Sequence, residues 1–170
     1  AKYFKELSFR EKNWKFILAV SLNDTSDSKF LEMKKSASDY PIEFLINAPK
    51  DKLLEKGSKA KIYWHATGYG EDLEKNPHLA EHFGISTVEA MAAGCVPIVI
   101  NLGGQREIVT NKQSGFLWNT LEELEVYTSE LIQDKSLRLK MSKKAIERSK
   151  IFSKERFCQE IFELISSKKV

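Results

Sequence analysis

Apolar residues along the chain fall into two alternating patterns. Short dense runs end in polar residues or glycine, as buried strands do, and longer stretches place apolar residues three and four apart, as helices do. On this basis 2–7 (KYFKEL) reads as the end of a helix and 14–21 (WKFILAVS) as a strand rich in β-preferring side chains. After the polar bend LNDTSD, the pattern predicts a helix over 28–39, a strand over 41–47 and a short helix over 50–57 that Gly57 closes in a left-handed conformation. A third strand is expected over 60–66. A helix follows from about Ser86 to Ala93, stopped by Gly94, and then a strand over 96–101 with Pro97 tolerated near its start. The remainder gives a short helix over 103–109, a last strand over 114–118, and helices over 121–133, 135–150 and 153–169, the last with Phe157, Ile161, Leu164 and Ile165 on one stripe.

Strands separated by helices imply an α/β fold, a Rossmann-like parallel sheet with helices on both faces. A length of 170 residues, 42% of them hydrophobic, suits one domain spanning 1–170 with a sizeable core. No internal repeat or low-complexity linker interrupts it. The least patterned stretch is 67–80 (TGYGEDLEKNPHLA), a long polar loop between the third strand and the next helix. Loops of that length in compact domains are functional or mobile.

Composition narrows the partners. The chain has 27 basic and 24 acidic residues, and a net charge of +3 is too small to argue for nucleic acid. Cys95 and Cys158 show neither metal-ligand spacing nor a disulfide framework; both read as small core residues in a reducing, cytoplasmic setting. No apolar run approaches the ~20 residues a membrane span needs, and the start lacks a signal-peptide core. Peripheral contact with the inner membrane face stays open.

In open parallel sheets, ligands bind beyond the carboxyl ends of the strands. His65 closes the third strand, Glu81 to Ser86 lead into the next helix, and Asn101 to Gly104 close the fourth strand. Gly84 and the Gly103-Gly104 pair let backbone approach a ligand closely. The N–H groups opening the helices after Ser86 and Gly104 can face phosphate or sugar oxygens, a geometry suited to a nucleotide diphosphate. Each residue also has a plainer reading. Ser86 and Glu89, three apart at a helix start, form a capping-box pattern; Glu81 alone could be a solvated loop acid, His65 a structural histidine, and Gly103-Gly104 a turn.

The combination resembles the family-four, group 1 glycosyltransferases of the GT-B fold. Their signature is two glutamates eight apart around a phenylalanine-glycine turn, and here it stands as Glu81-His82-Phe83-Gly84-Ile85-Ser86-Thr87-Val88-Glu89, followed by Ala90 to Gly94, Pro97, Gly103-Gly104 and Glu107-Ile108-Val109. The likeness continues through Asn111, Gly115, Phe116 and FSKERF near the end, and covers roughly 41–165. It implies the C-terminal, donor-binding half of a retaining hexosyltransferase that uses a UDP-, GDP- or ADP-linked sugar. Glu81 would be the catalytic residue, touching hydroxyls of the donor sugar, and Glu89 would accept from the ribose hydroxyls. Phe83, Gly84, Ile85 and Ser86 would lie along the sugar and diphosphate through their backbone. Gly103 and Gly104 would border the nucleotide, and His65 would line the crevice. Neither metal nor cofactor is expected.

The family's donor domain opens with a strand, a glycine-arginine pair and a lysine that hold the diphosphate, and these are not found here. WKFILAVS aligns with the family's second strand. The expectation is therefore a chain lacking the first strand of its sheet and the N-terminal half that takes the glycan or lipid-linked acceptor, inactive alone and prone to self-association through an open sheet edge. Two alternatives stay open: a non-catalytic nucleotide-sugar binding module, and another GT-B enzyme such as an epimerase.

Overall fold

The structure, a computed structural model, describes residues 13–24 and 26–167. The helix end expected over 2–7 lies outside these residues. Two compact units emerge, 1–57 and 58–170.

In the first unit, β1 (Phe16–Val20) pairs in parallel with β2 (Ile42–Ile46), Phe16 opposite Ile42 and Val20 opposite Ile46. A parallel pair needs a crossover, and α1 (Ser28–Ser36) provides it. Asp27 starts that helix by accepting from the Phe30 N–H at 2.9 Å. Phe30, the buried residue of α1, meets Phe44 edge-on with ring centroids 5.8 Å apart. Asn47 sits at a left-handed φ of 46°, a conformation asparagine tolerates; its side-chain amide exchanges two hydrogen bonds with the backbone of Leu22. Lys15 and Lys56 each bond Glu43 at 2.6 Å, and together they draw its carboxyl down to about 2.

Next comes α2 (Lys50–Lys59), which runs through Gly57 instead of ending there. Gly57 has no positive φ, so it is an ordinary helical residue and not the left-handed terminator that the sequence suggested.

The second unit holds β3 (Ile62–His65), α3 (Ile85–Ala92), β4 (Val96–Ile100), α4 (Gln105–Ile108), β5 (Phe116–Trp118), α5 (Leu121–Gln133), α6 (Lys135–Ser149) and α7 (Lys154–Ser167). Its sheet is parallel, in the order β3-β4-β5. All five residues of β4 are buried. Val96, Ile98 and Ile100 pack with Phe116, Trp118, Leu124, Leu131 and Met141, whereas Val99 joins Met91, Ile108, Val109 and Ala145. A strand covered on both faces explains the continuous apolar run, and each large side chain withdrawn from water contributes roughly 1.5–3 kcal/mol. Pro97 costs little in this central strand because β5 joins the ladder only from Ile98 opposite Phe116.

Helix starts and stops follow local chemistry. Thr120 accepts from Glu123 N–H to begin α5, and Asp134 from Leu137 N–H to begin α6. Arg138 then donates to the carbonyls of Leu131 and Ile132 at the end of α5. Gly94 ends α3 as expected, and does so in the left-handed conformation, at φ 87°. Its carbonyl accepts from the Ser142 hydroxyl at 2.7 Å, joining α3 to α6.

One expectation changes at the end of the chain. Cys95 is buried, but Cys158 is exposed on α7 and is no core residue. The stripe Phe157, Ile161, Leu164 and Ile165 is likewise exposed, because α7 buries none of its residues. Among the described residues, no helix is long and apolar enough to cross a membrane.

Candidate functional site

Three segments meet at the carboxyl ends of β3 and β4: His65, the turn 80–86 into α3, and the turn 101–105 into α4. Glu81 links them. Its Oε1 accepts from the N–H groups of Gly84 and Phe83 at 3.0 and 3.4 Å. Its Oε2 lies 3.6 Å from His65 Nε2, and its main-chain carbonyl accepts from Gly104 N–H at 3.0 Å. His65 is buried, which pulls its imidazole below the ordinary 6.5 despite the opposing pull of the Glu81 charge.

Gly84, at φ 96°, is the residue that enters α3. This moves the helix start by one residue and dissolves the capping box: Ser86 lies in the first turn, and its hydroxyl accepts from the Tyr63 hydroxyl at 2.8 Å. Glu89 is thereby released from capping and stands exposed on α3. Since Glu81 already takes the Gly84 N–H, the N–H groups of Ile85 and Ser86 are left at the helix mouth. Phe83 is half exposed, and its ring meets Phe152 edge-on at 6.0 Å. Ile85 is exposed as well.

The glycine pair has a reason of its own. A Cβ on Gly103 would collide with the Glu81 carbonyl, and one on Gly104 with the carbonyls of His82 and Phe83, each under 3.0 Å. Both turns therefore press backbone against backbone. Behind them, Arg148 of α6 donates to the carbonyls of Glu107 and Ile108, so the end of α4 is held from α6.

His65, Glu81, Phe83, Gly84, Ile85, Ser86, Glu89, Gly103 and Gly104 all lie in this region, while the bond expected of a Ser86–Glu89 capping box is not formed. What the sequence did not disclose is a polar network beside it. Arg106 Nε donates to Asn101 Oδ1 at 3.0 Å, Asn101 Nδ2 to Asn119 Oδ1 at 2.9 Å, and Asn119 Nδ2 to Glu123 at 3.2 Å. Only the closeness of Asn101 and Arg106 to the glycine pair could have hinted at it. Gln105 also went unnoticed; it is fully buried against Gly84.

The family model described as "Glycosyl transferases group 1" matches residues 2–148. A GDP-Man:Man(3)GlcNAc(2)-PP-Dol alpha-1,2-mannosyltransferase of Dictyostelium discoideum is 31% identical over 166 residues, 93% of this chain and 31% of the relative. The protein of that name from Xenopus laevis is 34% identical over 106 residues, 59% of this chain and 20% of the relative. The chain thus spans a third or less of these relatives' length. Among solved structures, Anabaena HepE in complex with UDP and glucose superposes with a TM-score of 0.73 at 20% identity, covering 97% of this chain and 44% of that one. The C-terminal domain of the group 1 protein LpcC from Francisella tularensis gives 0.66 at 20% identity, covering 91% and 78%. A Rossmann-like parallel fold, a glutamate pair around a glycine helix entry and a match over most of the sequence agree: the chain belongs to the group 1 glycosyltransferases, and its fold is that of a C-terminal GT-B domain.

Proposed function

We propose that this chain is the donor-binding part of a retaining hexosyltransferase and takes a nucleotide-diphosphate sugar at the turn between β3 and α3. The observation that carries the reading is the mouth of α3. Ile85 and Ser86 offer their N–H groups there, Gly84 supplies the left-handed turn that presents them and packs against Gln105 where a Cβ would not fit, and Glu89 stands exposed and uncommitted one turn on. Helix N-termini of this kind favour phosphate oxygens, and an exposed carboxylate suits ribose hydroxyls.

In this reading Glu89 accepts from the ribose and Glu81 reaches the donor sugar through Oε2, while its Oε1 keeps the turn closed. His65, Phe83, Gly103 and Gly104 shape the surrounding wall. The leaving diphosphate carries developing negative charge, which helix dipoles and preorganised N–H groups stabilise; it also takes up the acceptor's proton as the glycosidic bond forms on the same face of the sugar. No metal is called for. The acceptor, a glycan or a lipid-linked saccharide, belongs to the part of the transferase outside this chain, so the isolated chain is expected to transfer no sugar.

Donor identity follows the curated relatives first. Two are named for GDP-mannose, which makes it the donor to try ahead of UDP- and ADP-sugars. Calorimetric titration of the chain with GDP-mannose, UDP-glucose, UDP-N-acetylglucosamine and ADP-glucose tests the proposal. Saturable binding of at least one, weakened by Glu89→Gln, is the expected result. Binding of none, or equal binding by the variant, defeats it.

A further inference from the structure

Beside the donor turn lies a second concavity of about 490 Å³, roofed by the long loop 67–80 and floored by the ends of β4 and β5. We infer that it is a subsite for a neutral saccharide. It is lined by Tyr69, Glu71, Glu74, Asn101, Arg106 and Asn119 among others, and by none of Glu81, Phe83, Gly84, Ser86 or Glu89. It is therefore separate from the donor turn, which it adjoins through Leu102.

The chemistry of the lining selects the ligand. Tyr69 stands 45% exposed, with its ring tilted against the buried Trp118 at 5.3 Å, so an aromatic surface is fixed in the wall. Such a surface takes the C–H face of a sugar ring. Along the floor, Arg106 orients Asn101, Asn101 orients Asn119, and Glu123 fixes the far end through both the backbone N–H and the side-chain amide of Asn119. Those bonds lock the amides but leave the second N–H of each NH₂ group and further acceptor lone pairs available. Alternating donors and acceptors in a rigid row are what adjacent sugar hydroxyls require.

Charge excludes the obvious alternatives. Glu71, Asp72 and Glu74 line the pocket, Lys75 answers only Asp72, and Arg106 is the sole cation among the lining residues. A phosphate would meet net repulsion. Among the described residues, no three of the His, Cys, Asp and Glu side chains are grouped to hold a metal ion. A neutral polyol is the class that remains.

Saturation-transfer NMR on the 170-residue chain, with methyl α-mannoside, an α-linked mannobiose and mannose 1-phosphate as probes, tests this subsite. We expect saturable signals from the neutral sugars and a weaker one from the phosphate. Tyr69→Ala and Asn119→Ala should each weaken neutral-sugar binding about fivefold, the scale of one lost contact, while Tyr69→Phe and Glu89→Gln leave it unchanged. Near-UV dichroism checks that each variant is folded, and Tyr69→Ala decides alone if Asn119→Ala is not. No saturable binding, tighter binding of the phosphate, or binding lost with Glu89→Gln and kept with Tyr69→Ala each overturns the inference. Nucleotide-sugar titration is a separate measurement, so either proposal can fail by itself.

Discussion

At the scale of single residues, the two glutamates exchange the roles that spacing suggested. The capping-box pattern gave Glu89 a structural task and left Glu81 none. The fold gives Glu81 four ties, to His65 and to the N–H groups of Phe83, Gly84 and Gly104, and leaves Glu89 free. Spacing along a chain cannot show this, because a shift of one residue in the helix start decides whether Ser86 caps. Glu81→Ala is expected to destabilise the fold by about 1–3 kcal/mol, the scale of leaving the part-buried Gly84 N–H without its acceptor. Glu89→Gln should stay within about 0.5 kcal/mol of the parent, as surface substitutions do. Urea unfolding separates the two. His65 adds a pH dependence. Its native-state affinity for protons lies below the ordinary 6.5 because of burial, so the unfolded chain binds the extra proton. The associated stability is intact above pH 6.5 and is lost as pH falls below it. Unfolding midpoints at pH 7.5 and 5.5 should show this loss, and His65→Gln should flatten it. The Glu43 contribution falls in a different window, below 4.5 and towards about 2.

At the scale of elements, most strands and helices were legible, because β4 is apolar throughout and α5 and α6 carry regular spacing with Thr120 and Asp134 at their starts. Gly57 misled, since glycine favours but does not compel a helix end, and α2 continues through it. Cys158 misled in turn, because an apolar stripe tells which side chains share a face and not whether anything covers that face. The crowding of Gly103 and Gly104 against residues 81–83 was invisible for a similar reason: it joins segments far apart in sequence. Gly104→Ala should cost about 1–3 kcal/mol, as other overpacking does, and should abolish donor binding with it. Asp134→Ala removes the cap of α6 and should cost about 1 kcal/mol with donor binding unchanged. Paired denaturation and titration experiments distinguish loss of a turn from loss of a cap.

At the scale of the whole molecule, burial is uneven. The second unit surrounds a fully buried central strand, whereas among the described residues β1 and β2 pair only with each other, and Leu45 is the one residue of the two strands that is buried. Opening is easiest where few apolar contacts hold the backbone. Hydrogen exchange should accordingly be slowest at β4 and the facing residues of β3 and β5, and faster across β1 and β2; comparable protection in the two sheets would contradict that ranking.

The grip of Arg148 on the carbonyls of Glu107 and Ile108, with Phe152 against Phe83, also determines where this polypeptide can be shortened. A stop codon after Ser153 removes α7, which buries nothing, and should yield a trimmed domain that still unfolds cooperatively. A stop codon before Arg148 takes away the brace from a turn some forty positions upstream. Whoever trims this domain for crystallisation or fuses it to another protein should place the junction beyond Phe152.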